Sequence, residues 1–401
     1  CHVLQAKSSE TIITQPSFVN FKPSNSPVVL CMATDPDGLT WMGTDKGLIA
    51  FDGYRDYALF TGTDLQTRIN AVLLAGDTIL IGTDGGLRVA TRRTLRMLPP
   101  SGGVRCVRAL LQKGSKIVVG GADGVDLYDM QTGKSQVLAR RLPQVYSLLD
   151  TPDGLFVGTL NGLYIIRNDR VRAVNIGKLA QRPLINAMIH AKGKNCWIGT
   201  EGALFLYNGR SLKEVPALHS NSIKALCQVN RTLYIGTDNG LYMLSDGQNA
   251  VRISQDIRIT NSLASNIVWA LAKDQWNNLL VGTDRGLSVH RDHEPFHSWS
   301  LSAITGRGDG NTFGTLLIDA DGTTLSAGGD NGLISMQYGA DGWKASKWYR
   351  QGDPQWSISH NRIRKLHRLS DGTVIACTDH GLYIIDSQSS MPRNVLLTDG
   401  T

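Results

Sequence analysis

Between His290 and His297 the chain sets three imidazoles and two carboxylates within eight residues, His290-Arg-Asp-His293-Glu-Pro-Phe-His297, enough donors for zinc if a loop gathered them. The run lacks the helical spacing that would fix two imidazoles on one face, so it reads as local charge, and neither a metal nor a cofactor is expected. Asp35-Pro-Asp-Gly38 and Asp319-Ala-Asp-Gly322 are similar to the start of a calcium loop, but the rest of the twelve-residue ligand set is missing. Paired carboxylates for glycoside cleavage could come from distant segments, yet Glu occurs only at Glu10, Glu201, Glu214 and Glu294. No Gly-x-Ser-x-Gly, Walker loop or dinucleotide fingerprint appears, so no catalytic residue is assigned.

The elements that carry these residues follow from one recurrent phrase. It reads Trp41-Met-Gly-Thr-Asp-Lys-Gly-Leu48, Leu80-Ile-Gly-Thr-Asp-Gly-Gly-Leu87, Phe156-Val-Gly-Thr-Leu-Asn-Gly-Leu163, Trp197-Ile-Gly-Thr-Glu-Gly-Ala-Leu204, Tyr234-Ile-Gly-Thr-Asp-Asn-Gly-Leu241 and Leu280-Val-Gly-Thr-Asp-Arg-Gly-Leu287. Diverged copies begin at Val119, Ser326 and Ile375, which makes nine units. Their first glycines, with Cys377 in the last, are spaced by 39, 38, 38, 41, 37, 46, 46 and 49 residues. A period near 40 residues with strand chemistry is the mark of propeller blades.

Each unit opens with a short apolar stretch such as Ile69 to Leu74, then a polar hairpin turn such as Thr151-Pro-Asp-Gly154. The residue before Gly-Thr belongs to a second strand, which places Trp41 and Trp197 in the core. Thr-Asp-x-Gly is expected to be a tight turn in which the Asp caps its own backbone and the Gly is left-handed. Leu163 to Ile166 is a third strand, and Val171 to Ile176 an outer fourth. Propellers close with about four to eight blades, so nine units exceed one ring. The expected fold is all-β: a tail over residues 1–15, a seven-bladed β-propeller of four-stranded blades over 16–305, and the first two blades of a second, incomplete propeller over 306–401. Either Phe18-Val-Asn-Phe21 or Phe296-His-Ser-Trp299 could supply the strand that closes the ring.

The in-register string ending in Phe51-Asp-Gly53 resembles the two-component regulator propeller repeat, and the resemblance covers about residues 16 to 385. It implies the periplasmic sensor region of a hybrid two-component histidine kinase that binds an oligosaccharide and performs no chemistry of its own. It also implies a second propeller and a second protomer as partners, and a membrane anchor only through segments outside this chain. A propeller lyase or hydrolase, and a surface or secretion scaffold that binds protein, stand as alternatives. The chain starts at Cys1 and stops within a repeat, so it reads as a segment of something longer.

Residues common to all units serve the blade, so recognition must lie where the units differ. Aligned on the first strand, Leu30, Asn70, Arg108, Tyr146, Asn186, Lys224 and Trp269 share one position near the mouth of the axial channel. Amides, cations and aromatic rings there suit a sugar, whose hydroxyls need hydrogen-bond partners and whose C–H faces stack on rings. Trp276, Trp343, Trp348, Tyr349 and Trp356 are expected at an inter-propeller contact.

The net charge is +7. Between Gly86 and Arg182 sixteen basic residues face six acidic ones, a surplus of ten that would attract an anionic glycan. Aromatic residues are not interleaved with these arginines and no recognition helix is visible, which argues against nucleic acid. Six cysteines without paired spacing form neither a disulfide framework nor a zinc site and read as small buried residues. No apolar run approaches the roughly 18 residues a bilayer span needs.

Overall fold

Every repeat becomes an antiparallel sheet in which strands consecutive in the chain are neighbours, the outer strand of the seventh sheet excepted. The computed structural model describes residues 16–99, 102–245, 250–257, 259, 261–291, 304, 312–319, 322–339, 342–386 and 392–395. No helix among these residues is long and apolar enough to cross a membrane. The fourth blade shows the pattern: Val145–Thr151, Gly154–Thr159, Gly162–Arg167 and Arg170–Ala173 pair in that order. Its second strand is buried at every residue from Leu155 to Thr159, because both faces are covered by neighbouring sheets.

The chain divides into two compact units. The first holds residues 16–255 and 261–291, the second the sheets between 312 and 395. In the first unit the inner strands are Val29–Thr34, Ile69–Ala75, Ala109–Lys113, Val145–Thr151, Ile185–His190, Ile223–Val229 and Val268–Lys273. Each packs on the next, and the seventh packs back on the first. An apolar cluster fills every one of these boundaries, ending with Val29, Met42 and Ile49 against Leu280 and Leu287. Blade two has only three strands among the described residues, its outer side being a single bridge between Ala90 and Met97.

The seventh sheet receives its outer strand from the start of the chain. Val19–Phe21 lies beside Gly286–His290, with Val19 opposite Val289 and Phe21 opposite Leu287. Phe18, 2% exposed, enters the cluster between blades six and seven. Of the two candidate closing strands, the one at Phe18 to Phe21 does the closing, while Phe296 to Trp299 lies outside the described residues. So do Cys1 and His293 to His297. His290 is described, and its Nδ1 lies 3.0 Å from the Ser17 carbonyl oxygen. No group of three metal-binding side chains occurs among the described residues.

The second unit repeats the blade twice. Phe313–Ile318, Thr324–Gly329, Gly332–Gly339 and Gly342–Tyr349 form one sheet, and Ile363–Arg368, Val374–Thr378, Gly381–Ile385 and Pro392–Val395 the other.

Two expectations need correction. The tight turn is capped by Thr rather than Asp: Thr44 Oγ1 donates to the Gly47 carbonyl at 2.8 Å and accepts from the Lys46 N–H at 3.1 Å. The hydroxyl lies inside the turn, within reach of both backbone groups, and Gly47 takes φ +125° as expected. Trp197 is only partly buried, although its equivalents Trp41, Phe156 and Tyr234 are 2%, 3% and 7% exposed. Of the aromatic residues grouped with unit eight, Trp343 and Trp348 pack on the eighth sheet and Tyr349 and Trp356 in the cluster between the eighth and ninth sheets. Tyr349 is buried, its ring 5.7 Å from that of Trp356, and the Trp348 indole donates to the Asn331 carbonyl at 3.0 Å. Trp276 alone of that group stays largely open, at 65%. Two single-turn 3₁₀ segments, Gly177–Gln181 and Pro216–Leu218, also interrupt the strands and bury Leu179 and Leu218 completely.

Candidate functional site

The variable position on each inner strand coincides with a defect in the sheet. The pairing register shifts between Val29 and Cys31, Ile69 and Ala71, Val145 and Ser147, Ile185 and Ala187, Ile223 and Ala225, and Val268 and Ala270. The residue skipped in each case is Leu30, Asn70, Tyr146, Asn186, Lys224 or Trp269, a bulge that the ladder leaves unpaired. In blade three, Arg108 immediately precedes its strand, and its N–H donates to the Gly120 carbonyl at 3.1 Å. All seven side chains are half-buried. A bulge frees the side chain from matching a partner across the sheet, which is why this position can vary while its neighbours stay small or β-branched.

Adjacent blades bring two pairs together. The Arg108 guanidinium lies 5.4 Å from the centroid of the Tyr146 ring, and Lys224 Nζ lies 5.5 Å from that of Trp269. Both are cation–π contacts. Asn70 and Asn186 are committed elsewhere. Asn70 accepts from Arg68 Nε at 3.1 Å and donates to Asp84 at 2.8 Å, whereas Asn186 Nδ2 donates to the Ile223 carbonyl at 2.9 Å. Leu30 offers no polar group.

Buried polar atoms without a partner cluster at this end of the blades. They include Arg108 Nε, Trp269 Nε1, Asp284 Oδ1 and Ser222 Oγ. A buried donor or acceptor left unpaired costs roughly 1–3 kcal/mol, which a ligand or water could recover. Cys31, behind the rim, is not a nucleophile: burial pushes its thiol up to about 12, so it stays protonated. Glu201 is exposed at the tip of its turn.

The basic sector divides into paired and unpaired arginines. Arg88 bridges Asp64 at 2.8 Å, Arg92 bridges Asp35 at 2.8 Å, and Arg140 pairs with Asp126. Arg167, Arg170 and Arg172 have no ion-pair partner among the described residues, and with Phe156 and Tyr207 they line a cavity of about 680 Å³. Arg167 stands directly opposite Arg170 in the ladder. Sequence reasoning missed a second cavity, of about 800 Å³, between blades five and six at the opposite end of the strands.

No protein-family model matches the chain, and a search of the curated proteins finds no match. Solved structures do. The extracellular domain of the hybrid two-component system BT4673 from B. thetaiotaomicron is 32% identical, with a TM-score of 0.64 over 94% of this chain and 53% of that one. A second structure describes the same protein as a one-component system. The extracellular domain of BT3049, from the same organism, matches over 96% of this chain and 55% of its own at 20% identity and a TM-score of 0.66. The WD40 propeller of Doa1, 11% identical with a TM-score of 0.57, shares the fold alone. The chain spans about half the length of the two-component domains. By repeat and sheet order the chain is propeller-like, and over 94% of its length it is similar to the extracellular domain of a hybrid two-component system.

Proposed function

We propose that this chain is the periplasmic ligand-sensing region of a hybrid two-component regulator, and that residues 16 to 305 form a seven-bladed propeller whose channel mouth binds an oligosaccharide. Residues 306 to 401 are then the first blades of a second propeller. The reading is supported chiefly by the variable position on the inner strands, at which Arg108, Tyr146, Lys224 and Trp269 supply cations and aromatic faces beside unpartnered buried donors and acceptors. Ring faces receive the C–H surface of a sugar, and unpartnered polar atoms receive its hydroxyls. The surplus of arginine in blades two to four favours an anionic glycan. The region binds without transforming its ligand, and it signals by a shift in the arrangement of propellers or protomers rather than by a reaction.

Calorimetric titration of acidic and neutral oligosaccharides against the wild type, Arg108→Ala and Trp269→Ala tests the site. Saturable binding that weakens in both variants, with the sugar recovered intact, is the expected result. Unchanged affinity in both variants removes the channel mouth, and cleavage of the glycan by purified protein would replace the sensor with an enzyme.

A further inference from the structure

Trp41 and Trp197 occupy the same place in their blades, two residues before the glycine of the repeat, yet their surroundings differ. The Trp41 indole N–H donates to Asp35 at 3.2 Å, and Arg92 from the next blade closes over that carboxylate at 2.8 Å. In blade five the hairpin keeps the same backbone bond, Ala191 N–H to the Asn195 carbonyl at 2.9 Å matching Asp35 N–H to the Leu39 carbonyl. The residue in the place of Asp35 is therefore Ala191, which has no acceptor to offer. Among the described residues the Trp197 indole N–H has no hydrogen-bond partner, and the ring lies open on the wall of the 800 Å³ cavity.

The geometry points to this cleft between blades five and six as a second binding site, separate from the channel mouth, for a short acidic sugar such as an oligouronate. Trp197, with Leu206 and Leu244, provides an apolar wall against which a pyranose face can stack. Lys192, Lys213 and Arg231 stand at the rim, and none of them pairs with a carboxylate among the described residues. Glu214 is the acid among the lining residues, and it is occupied by Lys178 at 2.7 Å and His219 at 2.8 Å. Three cations against one engaged carboxylate favour an anion over a neutral sugar. The volume falls within the range of small-ligand pockets, roughly 300–1,000 Å³.

The test uses the whole chain with trigalacturonic acid and its neutral counterpart, galactotriose, as probes in calorimetric titrations. Lys192 and Arg231 are exposed, so the double variant Lys192→Ala/Arg231→Ala should fold normally, and it should bind trigalacturonic acid about tenfold more weakly than wild type. In Arg108→Ala/Trp269→Ala, which removes only the channel-mouth component of binding, the component lost in Lys192→Ala/Arg231→Ala should persist. Absence of saturable binding, equal affinity for galactotriose, or a loss confined to the channel-mouth variant would overturn the cleft. The last of these outcomes would leave the channel mouth standing, so the two sites fail separately.

Discussion

Val29, at the head of the first inner strand, packs over the bare Cα of Gly282 in the seventh blade. A Cβ placed on Gly282 would lie 2.8 Å from Val29 Cγ1 and 3.0 Å from the Val29 carbonyl oxygen. Real Cβ atoms do not approach so closely, so the glycine is needed for the neighbouring blade to seat rather than for a turn. Gly43 stands in the same relation to Ile69 of the next blade, at 2.7 Å.

Gly282→Ala should therefore destabilise the protein by about 1–3 kcal/mol, the usual cost of overpacking a close-packed contact. Gly202→Ala, where an added Cβ would meet nothing within 4 Å, should stay within about 0.5 kcal/mol of wild type. Urea unfolding of the two variants makes the comparison, and equal losses would refute the seating role.

The Thr of the repeat should matter more than the acid beside it. Thr237 is fully buried, its hydroxyl donating to the Gly240 carbonyl at 2.8 Å and accepting from the Asn239 N–H at 3.0 Å. Thr237→Val keeps the shape and strands both backbone groups, at about 1–3 kcal/mol. Asp238→Ala, at an exposed residue, should lose less than about 1 kcal/mol in the same assay.

Phe18 lies close to the start of the described chain, where substitutions are often silent, yet its ring is in the core between blades six and seven. Phe18→Ala should cost about 3–5 kcal/mol, as for other buried aromatic side chains. A melting temperature close to wild type would show that Val19–Phe21 does not hold the seventh sheet.

Burial raises the thiols of Cys31 to about 12 and of Cys196 and Cys227 to about 11, from an ordinary value of 9.0. Folding keeps these groups protonated, so their contribution to stability is complete below pH 9. It fades as the pH climbs from 9 towards 11 or 12, because the unfolded chain releases those protons first. At pH 8 all three should resist iodoacetamide in the folded protein and react after denaturation, as read by peptide mass mapping. Rapid alkylation of Cys196 in the native state would contradict its burial.

The repeat, its period and the strand order within each blade were legible in the sequence because the same local chemistry recurs along the chain: apolar stretch, polar turn, Gly-Thr in six of the nine units, then a tight turn. The shared position of Leu30, Asn70, Arg108, Tyr146, Asn186, Lys224 and Trp269 on the first strand was legible too, because the residues around it repeat. What those side chains touch was not. Asn70 and Asn186 look like ligand hooks in the sequence, but Asp84 and the Ile223 carbonyl already engage them. Trp197 reads as a core residue because its strand matches that of Trp41. Its openness depends on Ala191, six residues earlier, and on how blade six lies across it.

Local pattern alone determined that the chain is built of antiparallel blades and which residues in each are scaffold, because turn geometry and alternation act over a few residues. Only the tertiary structure decided which strand closes the seventh sheet, which glycines bear on a neighbour, and where the blades part enough to leave a cleft. Those outcomes depend on contacts between segments tens to hundreds of residues apart, and spacing along the chain does not encode them.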